Sequence, residues 1–485
     1  MQFLQHITNI EIQTNIYLIM KELIKMLDNV ILSSDSYHTS QYAFYPPNTS
    51  KVHFYFESRG GEFENITFFG LQYLLKELEG PVVTKYDVDE ADYVLNHHLP
   101  NKVFKRELWD YIVSHHGGHL PLRIRAVPEG SVIPTKNVLF NMENTDPKCY
   151  WLNFETYLTQ VWYPSTIATK SAAFKKIILK ALEDTGTPED VDFKLVDFGA
   201  RGSTSMESAR LGGAAHLINF KVTDNLPAIQ FIRRHYHKDL PEAYSIPATQ
   251  HSNITSWGEP GEVDAYRNVL RRFPSGLVAC VSDSYDIEHA CKNLWGGILK
   301  DEVLLRDGIL VVRPDSGHPP DMVCDCLKWL GETFGYTTNK KGFRVLNPKV
   351  RLIQGDGIDL GMTDSIYALT HIKSWSADNL TLGSGGGLLQ DVNRDTCRFA
   401  MKCSTATING EEVDVFKAPK SDLGKSSKKG EQILRYENGR YITEKRTENN
   451  AGQNLLQPVF LNGKILRQQS FDEIVELAKI GAGKN

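Results

Sequence analysis

The 485-residue sequence is poor in cysteine and has no long apolar run. Its 7 cysteines are odd in number and include no Cys-x-x-Cys pair, which argues against a disulfide framework and against a cysteine-based zinc site. A reducing compartment, the cytoplasm, is the expected location of such a chain. No apolar stretch reaches the roughly 18 residues that a membrane-spanning helix needs, so no integral membrane protein is predicted.

An excess of positive charge is also missing. The 54 lysines and arginines are outnumbered by 59 aspartates and glutamates, which leaves a formal net charge of −5. This balance argues against a nucleic-acid binder that depends on overall basicity. With 41% hydrophobic and 23% charged residues, the composition is typical of a globular protein. At about 100–200 residues per domain, the length predicts two to four domains.

The N-terminal segment lacks the basic region and the small-residue cleavage site of a secretory signal. Its apolar residues are interrupted by charged ones. We interpret residues 1–26 as a short helical extension, or as sequence upstream of a later start at Met20 or Met26.

The middle of the chain repeats one pattern, in which an apolar run ends in a polar or glycine-rich segment and helix-like sequence follows. The six runs are FKLVDFGARG (193–202), HLINFKVTD (216–224), GLVACVSDSYD (276–286), GILVVRPDSG (308–317), VRLIQGDGID (350–359) and NLTLGSGGG (379–387). A further loop, YSIPATQHSN (244–253), lies between the second and the third run. With this loop included, the pattern recurs at intervals of roughly 20–45 residues, the size of a β-loop-α unit. Continuous apolar strands that alternate with helices predict a parallel sheet covered on both faces.

These units predict an α/β fold with a (β/α)8-like barrel over residues 166–395. The flanking residues 27–165 and 396–485 contain short strand-like stretches separated by turns. We expect them to form one β-rich domain, built from both chain ends, into which the barrel is inserted. In such a barrel, catalytic residues come from the carboxyl ends of the strands, and phosphate often binds at the loops after the last two strands.

Three loops have compositions that suit phosphate or ribose. GSGGGLL (383–389) places four glycines in five positions, and its N–H groups can surround a phosphate, although a flexible turn is the alternative. Asp356, between two glycines, suits a ribose diol or Mg²⁺, or else forms a simple Asp-Gly turn. In RPDSG, Arg313 suits pyrophosphate and Asp315 suits hydroxyls or a metal, unless the two form a structural salt bridge.

His251 stands in the polar loop ATQHSN, and Asp283 and Asp286 of SDSYD are candidates to orient it, although a lone loop histidine is more often incidental. The DFG tripeptide at 197–199 lacks the glycine-rich loop, lysine and H-R-D motifs of kinases, so a kinase interpretation fails. Together, the candidate phosphate and ribose sites favour a phosphosugar or nucleotide enzyme over a scaffold. They do not name the reaction.

Nine segments, in order along the chain, resemble nicotinamide phosphoribosyltransferases. They are DSYHTSQYAFYPPNTSKV, AVPEGSVIP, NTDPKCYWL, DFGARGSTSMESARLGGAAHLINFKVTD, YSIPATQHSNITSWG, VSDSYDI, RPDSG, QGDGID and GSGGGLLQDVNRD. The similarity runs from about Val30 to about Glu476. It implies a dimeric type II phosphoribosyltransferase that joins nicotinamide to 5-phosphoribosyl-1-pyrophosphate, giving nicotinamide mononucleotide and pyrophosphate for NAD salvage.

The resemblance implies how nicotinamide is held. Phe198 would stack on one face of the pyridine ring, and Tyr37 of the partner subunit on the other. Asp224 matches the residue that binds the carboxamide N–H₂, because a carboxylate accepts from an amide and repels the carboxylate of nicotinate. Ser245 and Ser282 match hydroxyls that line or support this site.

The resemblance also implies which residues surround the phosphoribosyl substrate. Those facing the pyrophosphate are Arg201, His251, Arg313 and, as interface groups, Asp35, Lys402, Lys417 and Lys425. Those around the ribose and the 5′-phosphate are Arg313, Asp315, Gly355, Asp356, Gly386 and Arg394, with Arg394 donated across the dimer. Mg²⁺ is the expected cofactor, and no residue is assigned to it.

ATP is implied as a stimulating co-substrate. His251 matches the histidine that the family phosphorylates from ATP, and Asp286 matches its orienting carboxylate. With Asp315, these are the predicted catalytic residues. Two departures lie nearby. Gln250 replaces a glutamate of the vertebrate-like pattern, and Ala200 replaces a common tyrosine, which would widen the pocket.

Three alternatives stay open. A nicotinate phosphoribosyltransferase would have the same fold, and Asp224 argues against it. A non-catalytic paralogue would bind nicotinamide or its nucleotide without turnover, but every charged residue assigned to the phosphoribosyl substrate is present. A generic barrel aldolase or isomerase would show no dependence on an activated ribose.

Overall fold

The computed structural model describes residues 29–99, 101, 103–421 and 426–482. The predicted N-terminal extension, residues 1–26, and Lys425 lie outside the described residues. Among the helices of the described ranges, none combines the length and the apolarity that crossing a membrane requires.

A block of mixed strands and helices at the N-terminal end and a mostly β block at the C-terminal end flank an alternating β/α block. The strands of the described residues are β1 Thr49–Ser58, β2 Asn65–Thr67, β3 Leu122–Ala126, β4 Val132–Pro134, β5 Val138–Asn144, β6 Leu195–Asp197, β7 Ser275–Val281, β8 Asp307–Arg313, β9 Tyr336–Thr338, β10 Arg344–Leu346, β11 Val350–Gln354, β12 Leu380–Ser384, β13 Phe399–Ile408, β14 Glu411–Asp414, β15 Gln432–Glu437, β16 Arg440–Lys445, β17 Gln457–Leu461 and β18 Lys464–Ile465. The α-helices are α1 Leu71–Glu77, α2 Lys85–His98, α3 Arg106–His116, α4 Glu155–Thr159, α5 Trp162–Thr185, α6 Met206–His216, α7 Leu226–His235, α8 His251–Thr255, α9 Glu262–Arg272, α10 Ile287–His289, α11 Lys300–Leu305, α12 Pro319–Phe334, α13 Leu360–Ile372, α14 Gly386–Leu389 and α15 Phe471–Ala482.

The alternating block forms a five-stranded parallel sheet in the order β6-β12-β11-β8-β7. The expected α/β fold is thereby confirmed, and five of the six apolar runs provide the strands. The sixth run, HLINFKVTD, begins at the end of α6 and contributes isolated bridges. Parallel bridges continue beyond the sheet edges and join Asp197 to Thr223, Val222 to Tyr244 and Ala248 to Ala279. A complete eight-stranded barrel stays a prediction.

The parallel strands are buried on both faces, as their continuous apolar sequence predicts. One face belongs to the large core that includes Val312. The other face carries a small cluster of Ala279, Val311 and Ile353, which we call the inner cluster, and Phe198 packs against it. Because side chains alternate along a strand, the neighbours Val311 and Val312 enter different clusters.

A seven-stranded sheet combines strands from both ends of the chain, in the order β14-β13-β1-β5-β3-β17-β18. Its third strand, β1, pairs antiparallel with β5 from the N-terminal block and with β13 from the C-terminal block. The domain boundaries remain predictions, and the one between residues 165 and 166 falls inside α5.

Three hairpins in the C-terminal block turn on Asn-Gly pairs. The pairs are Asn409-Gly410, Asn438-Gly439 and Asn462-Gly463, with φ between 49° and 84°. Positive φ at both central residues is the geometry of a type I′ turn, whose twist matches that of the flanking strands. The short alternating strands predicted for this block therefore follow from local turn chemistry.

Candidate active site

Phe198 follows the last residue of β6 and packs against the inner cluster. Its N–H donates to Ser384 O on β12 (2.9 Å), which holds the turn against the neighbouring strand. Two glycines leave room for the ring. A Cβ on Gly383 would stand 2.1 Å from Phe198 Cε2, and one on Gly355 would stand 2.9 Å from the same atom. The glycines at these strand ends therefore accommodate an aromatic side chain.

Gly383→Ala is expected to displace the Phe198 ring, because the added methyl group would overlap it. Overpacking of this kind costs about 1–3 kcal/mol, so we expect a lower melting temperature and a roughly tenfold weaker affinity for any ligand stacked on Phe198. Thermal unfolding and ligand titration measure the two effects. Gly452→Ala, where a Cβ meets nothing within 4 Å, is the matched control. Equal melting temperatures and equal ligand affinities in the two variants would contradict this packing argument.

Asp224 is exposed close to the turn that carries Phe198. Its N–H donates to Asp197 O (3.1 Å), which fixes its backbone at the end of β6. The hydroxyl of Ser245 donates to Asp224 Oδ1. The carboxylate keeps acceptor capacity for a second group, since each ionised carboxylate has about four acceptor sites. An N–H₂ group of a ligand beside Phe198 would find its acceptor here.

Asp197 is a buried carboxylate that the sequence analysis did not single out. Its Oδ1 accepts from Gly199 N (2.7 Å) and its Oδ2 from Asn225 Nδ2 (2.9 Å). Burial raises the pKa of Asp197 to about 6. The side chain ties the turn after Phe198 to the turn after Asp224. Its place as the last residue of an apolar strand was a signal for such a role.

The Asp197 network predicts weaker binding at low pH. As pH falls through about 6, the Asp197 carboxyl of the folded protein gains a proton. It then becomes a hydrogen-bond donor that faces a second donor, Asn225 Nδ2. We expect the KM of the ligand held by Asp224 to rise below about pH 6, and Asp197→Asn to raise it about 10–100-fold at neutral pH. A KM–pH profile tests this, with Asp239→Asn as the exposed control. A flat profile between pH 5 and 8 would refute it.

The same pKa shift has the opposite effect on stability. The native pKa lies above the ordinary value of 3.8, so the folded state binds this proton more tightly than the unfolded state. The contribution of Asp197 to the free energy of unfolding therefore rises as pH falls from about 6 towards 4. Unfolding driven by protonation of Asp197 would therefore not explain weaker ligand binding between about pH 6 and pH 4.

His251 opens α8 and lies between two carboxylates. Its Nε2 is 3.1 Å from Asp283 Oδ1, and its Nδ1 is 3.8 Å from Asp315 Oδ2. The Asp283 side chain is 4% exposed, whereas the His251 side chain is 45% exposed. A buried carboxylate next to Nε2 favours the tautomer with the proton on Nε2, which leaves the lone pair on Nδ1.

In the described part of the chain, no hydrogen bond or ion pair joins Asp286 to His251, and the assignment of Asp286 as the orienting carboxylate stays a prediction. Asp286 Oδ1 instead accepts from His289 N (2.9 Å) and caps the helix that begins at Ile287. Asp283, three residues earlier, takes the orienting position. The Gln250 side chain is exposed and donates from Nε2 to Ser252 Oγ (2.8 Å).

Arg313 ends β8 with an unsatisfied donor. Its Nε is buried and has no hydrogen-bond partner among the described residues. Its Nη2 is 3.7 Å from Asp315 Oδ2, which is too long for a hydrogen bond and does not support a tight structural pair. A buried donor without a partner is costly, so the site suits an anion. Arg201, in the 3₁₀-helix Ala200–Gly202, is exposed and places a second cation at a strand end.

The glycine-rich loop packs closely on the loop that follows β11. A Cβ on Gly387 would lie 2.2 Å from Ile358 O, so a side chain there would collide with backbone. Gly386 is exposed and begins α14. Gln390 Nε2 donates to Gly199 O (2.9 Å) and connects this loop to the Phe198 turn.

The other residues assigned to ribose and phosphate are accessible. Asp356 is exposed, and the N–H groups of Gly355 and Asp356 donate to Gln354 Oε1 (2.8 and 3.4 Å). The Arg394 side chain is 57% exposed and its Nη2 lies 3.4 Å from Asp395 Oδ1. An exposed, adjacent pair of this kind contributes little to stability, so Arg394 remains available for an anion.

A second group of predicted site residues, which we call the Lys402 group, consists of Lys402 on β13 and of Asp35 and Tyr37 in the segment before β1. Lys402 Nζ is 3.0 Å from Glu155 Oε1, and Asp35 Oδ2 accepts from Thr156 Oγ1 (2.6 Å). Tyr37 is 59% exposed; burial, Glu155 and Asp35 raise its pKa, in that order. Between the described residues, no hydrogen bond or ion pair joins this group to the residues at the strand ends.

Two predicted residues have mainly structural surroundings. Ser282 is fully buried, donates to Cys280 O (3.0 Å) and accepts from Trp295 Nε1 (3.1 Å), which suits a hydroxyl that supports the site better than one that lines it. Lys417 is exposed, and its N–H donates to Ser427 Oγ (2.8 Å) at the base of the lysine-rich loop.

In the part of the chain that the structure describes, three potential metal ligands converge at His116, Asp146 and Cys149. Asp146 already accepts from His116 Nε2 (2.8 Å) and from the hydroxyl of Tyr111 (2.9 Å), and burial raises the pKa of Cys149 to about 12. A hydrogen-bonded His116–Asp146 pair beside a protonated thiol explains this cluster without a metal. At the strand ends, Asp315 offers a carboxylate of the kind that Mg²⁺ combines with substrate phosphates and water.

Comparisons with known proteins agree on one family. A sequence model described as the nicotinate phosphoribosyltransferase (NAPRTase) family matches residues 193–464, and one described as the nicotinamide phosphoribosyltransferase N-terminal domain matches residues 29–124. A nicotinamide phosphoribosyltransferase of Xanthomonas campestris pv. campestris is 46% identical over 460 residues, covering 92% of this chain and 97% of that protein. One from Acinetobacter baylyi is 29% identical, covering 92% of this chain and 96% of that protein.

Two solved structures have a similar fold. The nicotinate-nucleotide pyrophosphorylase of Pyrococcus furiosus superposes with a TM-score of 0.58 at 18% identity, covering 93% of this chain and 94% of that chain. Human nicotinic acid phosphoribosyltransferase gives a TM-score of 0.56 at 17% identity, with the same coverage of 93% and 94%. At these identities, the likeness concerns the fold alone.

Proposed function

The chain belongs to the nicotinamide phosphoribosyltransferase family, and on this premise we propose that it transfers the phosphoribosyl group of 5-phosphoribosyl-1-pyrophosphate to nicotinamide. The products are nicotinamide mononucleotide and pyrophosphate, as NAD salvage requires. The observation that carries the proposal is the exposed Asp224 carboxylate beside the Phe198 turn, held by Ser245. It can accept from a carboxamide and would repel the carboxylate of nicotinate. The scarcity of cysteine favours a cytoplasmic location.

The reaction is a displacement at C1 of the ribose. The ring nitrogen of nicotinamide bonds to C1 as the bond from C1 to the pyrophosphate oxygen breaks, through an oxocarbenium-like centre. The neutral pyridine becomes a pyridinium, so no proton has to move. The protein therefore contributes alignment and charge stabilisation. Phe198 stacks on the ring, Asp224 orients the carboxamide, and Arg201 and Arg313 receive the departing pyrophosphate.

The ribose and the 5′-phosphate occupy the neighbouring loops. Asp315 and Asp356 accept from ribose hydroxyls, the backbone of Gly355 approaches the sugar, and Gly386 and Arg394 bind the 5′-phosphate. When Mg²⁺ is bound, it would neutralise negative charge of the pyrophosphate. The carboxylates at the strand ends suit it, because Mg²⁺ takes few protein ligands and fills its shell with phosphate oxygens and water.

ATP acts as a stimulating co-substrate through His251. Nδ1 of the imidazole attacks the γ-phosphorus of ATP, the N–P bond forms, and the bond to ADP breaks. Asp283 accepts from Nε2–H and stabilises the positive charge that the ring gains. Hydrolysis of the phosphohistidine then makes synthesis of the mononucleotide more favourable. The Gln250 side chain donates a hydrogen bond to Ser252 Oγ and none to the imidazole of His251.

The two separate groups of site residues support a homodimer with active sites at the interface. The exposed Tyr37 and Lys402 of one chain would complete the strand-end site of the other, with Lys417, Lys425 and Asp35 beside them. Mixed dimers of Tyr37→Ala and Asp224→Ala chains should then recover activity. One of their two sites combines the unaltered Asp224 of the first chain with the unaltered Tyr37 of the second. Failure of mixed dimers to recover activity would contradict shared sites.

Pyrophosphate release tests the function. The full-length protein is incubated with 5-phosphoribosyl-1-pyrophosphate and Mg²⁺, with nicotinamide or nicotinate, each with and without ATP. We expect release with nicotinamide and faster release with ATP. A preference for nicotinate would overturn the role of Asp224 and favour a nicotinate enzyme. Saturable binding of nicotinamide without any release would favour a non-catalytic binding protein.

A further inference from the structure

A cleft of about 140 Å³ lies where α1, α6 and α7 meet. It is lined by Tyr73, Glu207, Arg210, Gln230, Phe231, Arg234 and His235. None of these residues belongs to the strand-end site or to the Lys402 group. The cleft is well below the roughly 300–1,000 Å³ of pockets for drug-sized ligands, so it has room for a small ion but not for a nucleotide.

Neither arginine of the cleft forms an ion pair within 4.0 Å among the described residues. The side chains of Arg210 and Arg234 form no hydrogen bond or ion pair with any described residue, and Arg210 Nε is buried without an acceptor. The neighbouring Arg233 is different, because its Nη2 donates to Asp239 Oδ1 (2.9 Å). The acidic group of the cleft, Glu207, accepts from the hydroxyl of Tyr73 (3.0 Å) and not from Arg210, although the two lie three residues apart on α6.

We propose that this cleft binds a small tetrahedral oxyanion such as inorganic phosphate. Two guanidinium groups at one cavity repel each other, and a buried N–H donor without an acceptor is costly. An oxyanion between them removes both penalties, since the planar fork of arginine matches phosphate oxygens. Tyr73 and Phe231 contribute aromatic side chains to the lining, with their ring centroids 5.0 Å apart.

The position of the cleft gives the ion a structural consequence. Arg210 lies on α6, which begins after the Phe198–Arg201 turn, and Arg234 lies on α7, which begins after Asp224. An ion held by both arginines would link the two helices that lead away from the proposed nicotinamide site. The inference does not depend on the transferase activity, because binding is measured directly.

Titration calorimetry with inorganic phosphate tests the proposal on the full-length protein. Arg210→Gln/Arg234→Gln is compared with Arg233→Gln, which removes a neighbouring charge of the same helix. We expect one phosphate-binding event to have the same Kd in the wild type and in Arg233→Gln, and a Kd at least about tenfold higher in the double variant. This expectation holds whether or not phosphate also binds elsewhere on the protein. Phosphate should also raise the melting temperature of the first two proteins more than chloride does at equal ionic strength.

Two results would overturn the proposal. One is unchanged phosphate affinity in the double variant, and the other is the same response of the wild type to phosphate and to chloride. The exposed Arg234→Gln single variant covers the case in which the double variant does not fold, since it removes one of the two forks without touching a buried side chain. Normal pyrophosphate release by that variant would separate loss of the ion from loss of the active site.

Discussion

Asp224→Ala should lower kcat/KM for nicotinamide by about 10–150-fold. The substitution removes the acceptor that we propose for the carboxamide N–H₂, and hydrogen bonds to charged groups contribute about 1.5–3 kcal/mol. It also leaves the Ser245 hydroxyl without its acceptor. Steady-state pyrophosphate release with each base measures the effect. The expected loss is larger in kcat/KM than in the melting temperature, because Asp224 is exposed.

Asp224→Asn separates charge from hydrogen bonding. The amide keeps an acceptor for the carboxamide but no longer repels an anionic base, so the preference for nicotinamide over nicotinate should fall. Asp239→Ala, which removes an exposed carboxylate of another ion pair, is the control and should leave both bases unaffected. If Asp224→Asn kept full discrimination, charge repulsion would not explain the choice of base.

The second large effect concerns ATP. His251→Ala should abolish ATP stimulation, because no nitrogen remains to receive the γ-phosphoryl group. Asp283→Asn should lower the ATP-dependent rate about 10–100-fold, since the ring loses the carboxylate that sets its tautomer and stabilises its charge. Rates with and without ATP, together with acid-labile ³²P incorporation from γ-labelled ATP, measure the two steps.

Asp286→Asn is the matched control for Asp283→Asn. Asparagine caps a helix about as well as aspartate, so this variant should keep both folding and ATP stimulation. A loss of ATP stimulation in Asp286→Asn with an intact response in Asp283→Asn would restore the original assignment of Asp286 and refute the geometry around His251. Labelling of His251→Ala would show that another residue is phosphorylated.

Much of the fold follows from local patterns. The apolar runs that end in glycine or aspartate became β6, β7, β8, β11 and β12, because a strand buried on both faces has to be apolar throughout. Asn-Gly pairs form the turns of the C-terminal hairpins through their local backbone preference for positive φ. The run HLINFKVTD was harder to predict, because tertiary packing extends α6 to His216 and leaves only bridges for the rest.

The sequence by itself determined the family, the reaction class and the residue types at the strand ends, because long ordered motifs and strand-end glycines can be recognised without coordinates. The tertiary structure decided which side chains meet. Within SDSYD it turned Asp283 towards His251, used Asp286 as a helix cap and buried Ser282 against Trp295. The physical reason is that contacts after a strand depend on how the chain turns into the next helix, and sequence spacing does not specify that turn.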